Sequence, residues 1–320
     1  MSTKAETHRW KSGKEVNSDS IFKGVTLLFA FSIFVILLLM VAEMTYESLP
    51  ALKEFGWRFI RSSDWDAVQG SFGALPYIWG SVVSSILAIF LAAPLSVGTA
   101  ILITEIAPKK LGNMVAALVE LLAAIPSVIY GLWGILVMAP WLQKTVEPFL
   151  NERLGFIPLF RGAPYGVSML AAVFILTIMI VPIITSIAKE VFLAVPLSQK
   201  EACFALGATR WEMIRMAVLP YGKSGILGAV ILGLGRAIGE TMAVTMVIGN
   251  SPQISLSLLA PAYTMPSVIA NEFAETTSKL HAAALMEIGL ILLVVTVIIN
   301  ALARLLLWSV TRKEKGGGRL

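Results

Sequence analysis

An all-α, polytopic membrane protein with six transmembrane helices is what this chain predicts, and three observations predict it. Hydrophobic residues make up 57% of the 320 residues and charged residues only 14%, against roughly 45–50% and 25% in soluble domains. The mean hydropathy is +0.81. Six long apolar runs, at about 22–42, 76–104, 113–141, 164–188, 217–249 and 282–309, each reach the roughly 20 residues that a helix needs to cross a bilayer.

The first run reads as a retained span, because its apolar stretch is too long for a cleaved leader and a polar segment precedes it. The later runs exceed the minimum length, which predicts tilt or kinks. Pro94, Pro126 and Pro182, with Gly98, Gly131 and Gly134, are the expected sites of kinking. The expected organisation is a disordered tail over 1–20, a first span over 21–44, a loop over 45–75 and a five-span core over 76–310. The core carries a structured loop at 190–220, and 311–320 is a second tail.

Orientation follows from the basic residues. Lys4, Arg9, Lys11, Lys14 and Lys23, then Lys109 and Lys110, then Lys189, Lys200, Arg210, Arg215 and Lys223, then Arg304, Arg312, Lys313, Lys315 and Arg319 fall on one side. The other side holds Lys53, Arg58, Arg61, Lys144, Arg153, Arg161 and Lys279. An excess of Lys and Arg marks cytoplasmic loops, so both termini and the 189–223 loop are expected there. Trp57, Trp65 and Trp141 lie in the opposite loops and read as interface anchors.

Several chemistries are excluded. Cys203 is the one cysteine, so no internal disulfide forms, and it reads as a small packing residue. His8 and His281 are far apart, and no spacing suggests a metal site or any cofactor. Gly222-Lys223-Ser224 imitates the end of a phosphate-binding loop, but position 217 is alanine where that loop needs glycine. Any ATP dependence must therefore come from a partner. The net charge of +5 sits in particular loops and calls for no nucleic acid.

The segment 196–220 is polar and basic between two apolar runs, yet it carries the signals of two capped helices. Ser198 with Glu201 and Thr209 with Glu212 each have capping-box spacing. Gly207 falls where the first helix should stop. Phe204, Leu206 and Trp211 offer apolar anchors of the kind that dominate interfaces.

The next run contains Arg236 and Glu240, four residues apart and so expected to pair on one helical face. Arg236 lies about 24 Å along the helix from Pro220, counting 1.5 Å per residue. A charge at that depth is costly and usually faces a bundle interior or a wet pathway. Gly235 and Gly239 have the spacing that admits another helix closely. Arg236, Glu240, Thr241 and Ser127 are the expected gate and pathway residues. A structural ion pair locking two helices is the competing reading of Arg236 and Glu240. Glu120 and Glu287, also inside apolar runs, read as structural.

Glu201-Ala202-Cys203, Gly207 and Ala217-Val218-Leu219-Pro220 resemble the EAA loop of ABC importer permeases, with Cys203 and Ala217 as small apolar departures. Further segments carry a narrower likeness. They are Ala124–Gly131, Ile180–Phe192 and Gly235–Asn250, the last containing Arg-Ala-Ile-Gly-Glu-Thr-Met-Ala. Together they are similar to the phosphate ABC importer permeases of the PstC type, over about 75–310. The resemblance implies a type I, MetI-like permease fold, and a chain that is itself no enzyme. It implies that Glu201, Ala202, Cys203, Gly207, Thr209, Trp211 and Pro220 couple to a separate ATPase. It implies as partners a second homologous permease of the PstA type, two cytoplasmic ATP-binding subunits, an extracytoplasmic phosphate-binding protein and membrane lipid, in a bacterial inner membrane. Rival readings are a permease for sulfate, molybdate or phosphonate, a stand-alone secondary transporter or channel, and a scaffold that reports phosphate supply.

Overall fold

The computed structural model describes residues 15–276 and 278–317, and within these the chain is helical with no strand. Residues 1–14 and 318–320 of the two expected tails lie outside the described residues. What is described of those tails is helix. α1 (Glu15–Phe55) already includes 15–20, and the last helix reaches Gly317. Once a helix is nucleated, each added residue gains a bond, so polar flanks without a breaker extend it.

Residues 1–47 and 48–320 form two compact units. In the first, α1 exposes apolar side chains all round, including Phe22, Leu28, Ile36 and Leu38. A helix apolar on every face is the form a membrane span takes. In the second unit α1 runs on to Phe55, past the loop expected from residue 45, and stops at Gly56, which takes φ +49°. Nothing earlier breaks it.

α2 (Arg58–Arg61) leads into α3 (Leu75–Ile101), which closes in a π turn at Leu102–Ile106. The expected third span is not one rod. α4 (Lys109–Ala124) ends at Ile125-Pro126 and meets the following helical stretch, Ser127–Leu154, at 93°. That stretch comprises α5 (Ser127–Trp133), α6 (Ala139–Trp141) and α7 (Glu147–Leu154), joined by π turns. Pro126 makes the break, because it lacks an amide hydrogen and pushes Ile125 into extended geometry (ψ 128°). Pro94 and Pro182 instead lie inside α3 and α8 (Met169–Leu193) without ending them.

After α8 come α9 (Leu197–Ala205), α10 (Arg210–Met213), α11 (Leu219–Gly239), α12 (Met242–Val247), α13 (Met265–Glu272) and α14 (Lys279–Gly317). Five helices are long and apolar enough to cross a membrane, and the bent pair brings the total to six. α8 is central and packs along α3 and α11. Small residues make the approach possible. At Gly233 a Cβ would lie 2.8 Å from Ile180 and 2.9 Å from Ile184. At Gly222 it would lie 2.9 Å from Phe192. Close helix contact through glycine is how membrane helices associate where lipid supplies no hydrophobic drive. The P-loop look-alike, Gly222 to Ser224, is simply part of α11.

Three apolar clusters hold this unit. The largest gathers α8 with α12 and the 258–262 segment. A second surrounds Phe59, Tyr77 and Tyr263, near a polar knot in which Glu272 accepts from Trp65 Nε1 at 2.9 Å and lies 3.0 Å from His281 Nε2. Trp65 is thus bound inward, in contrast to Trp57 and Trp141, which are exposed. The third cluster binds Ala100, Ile101, Ala188, Phe192, Met213, Ile214 and Val218 at the end of the bundle that carries α9, and Cys203 packs against it.

Candidate functional site: an exposed arm and a broken helix

The arm begins at Pro196, whose φ of −57° suits a helix start. α9 therefore starts one residue ahead of Ser198, which lies inside the first turn and makes no capping bond. The Ser198–Glu201 capping box does not form. The second box does. Thr209 Oγ1 accepts from the Glu212 amide at 3.4 Å, and Glu212 Oε2 accepts from the Thr209 amide at 2.7 Å. Between them Gly207 takes φ +81°. The Gly207 amide donates to Phe204 O at 2.9 Å and the Ala208 amide to Cys203 O at 3.1 Å. These two bonds are a Schellman closure, which satisfies the last carbonyls of α9.

The arm's two faces differ. Met213, Ile214, Ala217 and Val218 are buried against the bundle. Leu206 is 86% exposed, Trp211 61% and Phe204 46%. Glu201, Ala202, Gly207, Thr209 and Pro220 are also exposed. The arm is thus a twice-closed element with apolar side chains turned outward.

The pathway candidates are arranged otherwise than their spacing suggests. α11 ends at Gly239, and Glu240 is extended (φ −70°, ψ 125°). The four-residue helical relation between Arg236 and Glu240 is therefore lost, and the two do not pair. Arg236 occupies the last turn of α11, is exposed, and has no hydrogen bond or ion pair among the described residues. Glu240 is buried, and its Oε1 accepts from the Ala243 amide of α12 at 3.5 Å. Helix dipoles explain both placements. A cation suits the C-terminal end of α11, and a carboxylate suits the start of α12.

Thr241 follows the break and donates to Gly239 O at 3.3 Å. Ser127 opens α5, half-buried, directly after the Pro126 break. α5 and α12 lie side by side and run in the same direction. A Cβ at Gly131 would meet Met246 Sδ at 2.6 Å and Ala243 Cα at 2.9 Å, and one at Gly134 would meet Val247 at 2.7 Å. Two helix beginnings, at Ser127 and Thr241, thus open from neighbouring interruptions. The GxxxG expectation is met only in part. A Cβ at Gly235 would stand 3.8 Å from Asn300 of α14, while Gly239 faces open space.

Sequence reasoning missed other groups. Asn250 holds φ +48° and donates to Thr245 O at 2.9 Å, while its own Oδ1 is buried without a partner. The sequence signal for it was slight, a polar residue after Gly249 at the end of an apolar run. Of the two carboxylates read from the sequence as structural, Glu287 is buried with Oε2 unpartnered and Glu120 bonds Lys189 at 3.0 Å. Among the described residues no three His, Cys, Asp or Glu side chains gather to hold a metal.

Comparison with known proteins agrees with this geometry. Residues 94–311 match the family model described as "Binding-protein-dependent transport system inner membrane component". The "Phosphate transport system permease protein PstC" of Mesorhizobium japonicum is 46% identical over 92% of this chain and 91% of its own. The protein of that name from Pasteurella multocida is 42% identical over 98% of both. Among solved structures, a chain of a bacterial alginate ABC transporter aligns with TM-score 0.57 at 17% identity, covering 91% of this chain and 94% of that one. A chain of the MetNI methionine ABC transporter aligns with TM-score 0.54 at 18% identity, covering 73% and 94%. The last two show the fold alone. An exposed capped arm, six apolar helices with one broken in the middle, and relatives of this likeness over nearly the whole length leave one assignment: the chain belongs to the inner membrane components of binding-protein-dependent transport systems, is a permease subunit of an ABC importer, and falls among its PstC-type members.

Proposed function

We propose that this chain forms half of the pathway through which an ATP-driven importer passes inorganic phosphate inward. The carrying observation is the arm at 196–218, closed at Gly207 and Thr209, with Phe204, Leu206 and Trp211 turned away from the bundle. Its rigidity suits a lever seated in a cleft of a cytoplasmic ATP-binding subunit. Closure of two such subunits on ATP rotates the bundle and opens the site outward. A shift from 1:99 to 99:1 between two states takes about 5.5 kcal/mol of differential binding.

The other half of the pore is a homologous permease of the PstA type, and an extracytoplasmic phosphate-binding protein delivers the ion. Both termini and the arm face the cytoplasm, in keeping with the distribution of Lys and Arg. Phosphate as the cargo rests on the names of the relatives at 42–46% identity. A pathway through this region is supported by the break at 240–241, since irregular backbone at membrane depth is tolerated where it lines a cavity or is buried in protein. Arg236 and the helix starts at Ser127 and Thr241 present positive charge and amide hydrogens to a passing anion, with Glu240 as counter-charge.

The test is uptake of radiolabelled phosphate into vesicles holding this chain with its proposed partners. Uptake should require ATP and the ATPase, and excess sulfate or molybdate should not compete. Transport by this chain without an ATPase would overturn the coupling, and equal competition by sulfate would overturn the cargo.

A further inference from the structure

α3 has no chain connection to the arm, yet its end is fastened to it. Lys200 of α9 donates from Nζ to Glu105 Oε1, in the π turn that closes α3, at 2.6 Å. The two side chains are only 16% and 6% exposed. A second ion pair at this end, Lys189 with Glu120 at 3.0 Å, differs in kind, because Glu120 is 59% exposed.

We propose that Lys200 and Glu105 are positioning residues, a strut that makes α3 follow α9 whenever the arm is displaced. The proposal rests on the reading of the arm as the point where an ATPase acts. Covalently, α9 is tied to α8 through Ala194-Val195-Pro196 and to α10 and α11 through Gly207. A push on α9 therefore reaches α8 and α11 along the chain, whereas its direct route to α3 is through side chains. Those direct contacts are the apolar cluster around Ala100 and Ile101 and this ion pair, while α8 holds α3 farther along, through Ser96 Oγ on Val181 O at 3.2 Å and Thr185 Oγ1 on Ser96 O at 3.4 Å.

A charge-assisted bond this short has little slack. Opening it would leave an uncompensated charge in a largely desolvated place, which is strongly unfavourable. The pair therefore stays closed while its ends move. Its location adds to the effect. The π turn, closed by the Ala107 amide on Leu102 O at 2.8 Å, is the one irregular turn of this helix. Unpinned, that turn would absorb the push. Pinned at Glu105, it passes the push into α3, which packs along both α8 and α11 and whose Gly80 abuts the Tyr263 backbone at the far end.

The experiment uses the full complex in proteoliposomes and reads phosphate delivered per ATP hydrolysed. Lys200→Met and Glu105→Gln should assemble and hydrolyse ATP, yet deliver about tenfold less phosphate per ATP, a coupling loss within the usual range. The exchanged double variant, Lys200→Glu with Glu105→Lys, should recover most of the loss. Lys189→Met should leave the ratio unchanged. An unchanged ratio in both single variants, or no recovery in the exchanged one, overturns the strut. Failure of the single variants to assemble also counts against it, since the pair would then serve folding and not motion. A second reading is independent of cargo. Spin labels on Ser198 and Leu102 should keep their separation on ATP addition in the parent and change it in Lys200→Met. Motion between the labels in the parent overturns the strut even if the cargo is not phosphate. Absence of phosphate uptake by the parent, with the labels behaving as expected, overturns the cargo alone.

Discussion

The arm at 196–218 and the interruption at 236–250 both close their polar groups locally, yet they differ in what they pack against. In the arm, partners lie within a few residues: Thr209 with Glu212, Gly207 with Phe204, Ala208 with Cys203. The interruption closes its polar groups over similar spans, Glu240 with Ala243 and Asn250 with Thr245, but its packing draws on distant elements: the α12 flank fits against Gly131 and Gly134 of α5, and Gly235 faces Asn300 of α14. The arm turns an apolar face outward, so on the proposed coupling reading its defects should act through docking. The interruption is fitted to neighbouring helices, so its defects should act on passage.

Substitutions can break this contrast or refine it. The largest effect is expected from Arg236→Gln, with uptake at background while the ATPase still co-purifies; retained uptake would take Arg236 out of the pathway. Next comes Gly207→Val, which forces a side chain into a left-handed conformation costing roughly 1–2 kcal/mol or more. Co-purification of the ATPase and uptake should then fall together, and loss of uptake alone would contradict a docking role. Trp211→Ala should weaken ATPase binding in detergent about tenfold, as loss of an interface anchor does. Arg236→Gln and Glu240→Gln should be additive in thermal stability to within about 0.5 kcal/mol, as for residues that do not touch. A larger coupling would restore the ion pair that the helix end removes. The smallest change is expected from Thr209→Ala, about 1 kcal/mol of cap energy. It should appear as faster amide exchange at Glu212 and Met213, with uptake little altered.

Much of the molecule was legible along the chain because the cues were short-range. Helix number follows from apolar length, and the Thr209 box and Gly207 stop follow from residues three to five apart. Ser198 was misread for a related reason. Its spacing to Glu201 is correct, but Pro196 starts the helix earlier and places Ser198 past the cap position. The 93° bend was legible only as a kink at Pro126, since composition does not say whether a proline bends a helix or ends it. Pro94 and Pro182, inside intact helices, show the other outcome. The Arg236–Glu240 pairing failed because it assumed a helix running through 240. The helix ends at Gly239 where α12 packs against α5, with no proline to announce it. Lys200 and Glu105 lie 95 residues apart and were visible only once folded.

The seam between α5 and α12 has a consequence of its own. Gly131 faces the Met246 sulfur and Gly134 faces Val247 with no room for even a methyl group. Two surfaces meshed that closely slide past one another poorly, so the two interrupted helices should travel as a single blade. Any narrowing of the route would then come from that blade swinging against its surroundings, and a bulky residue engineered at Gly131 would act as a wedge that jams the swing.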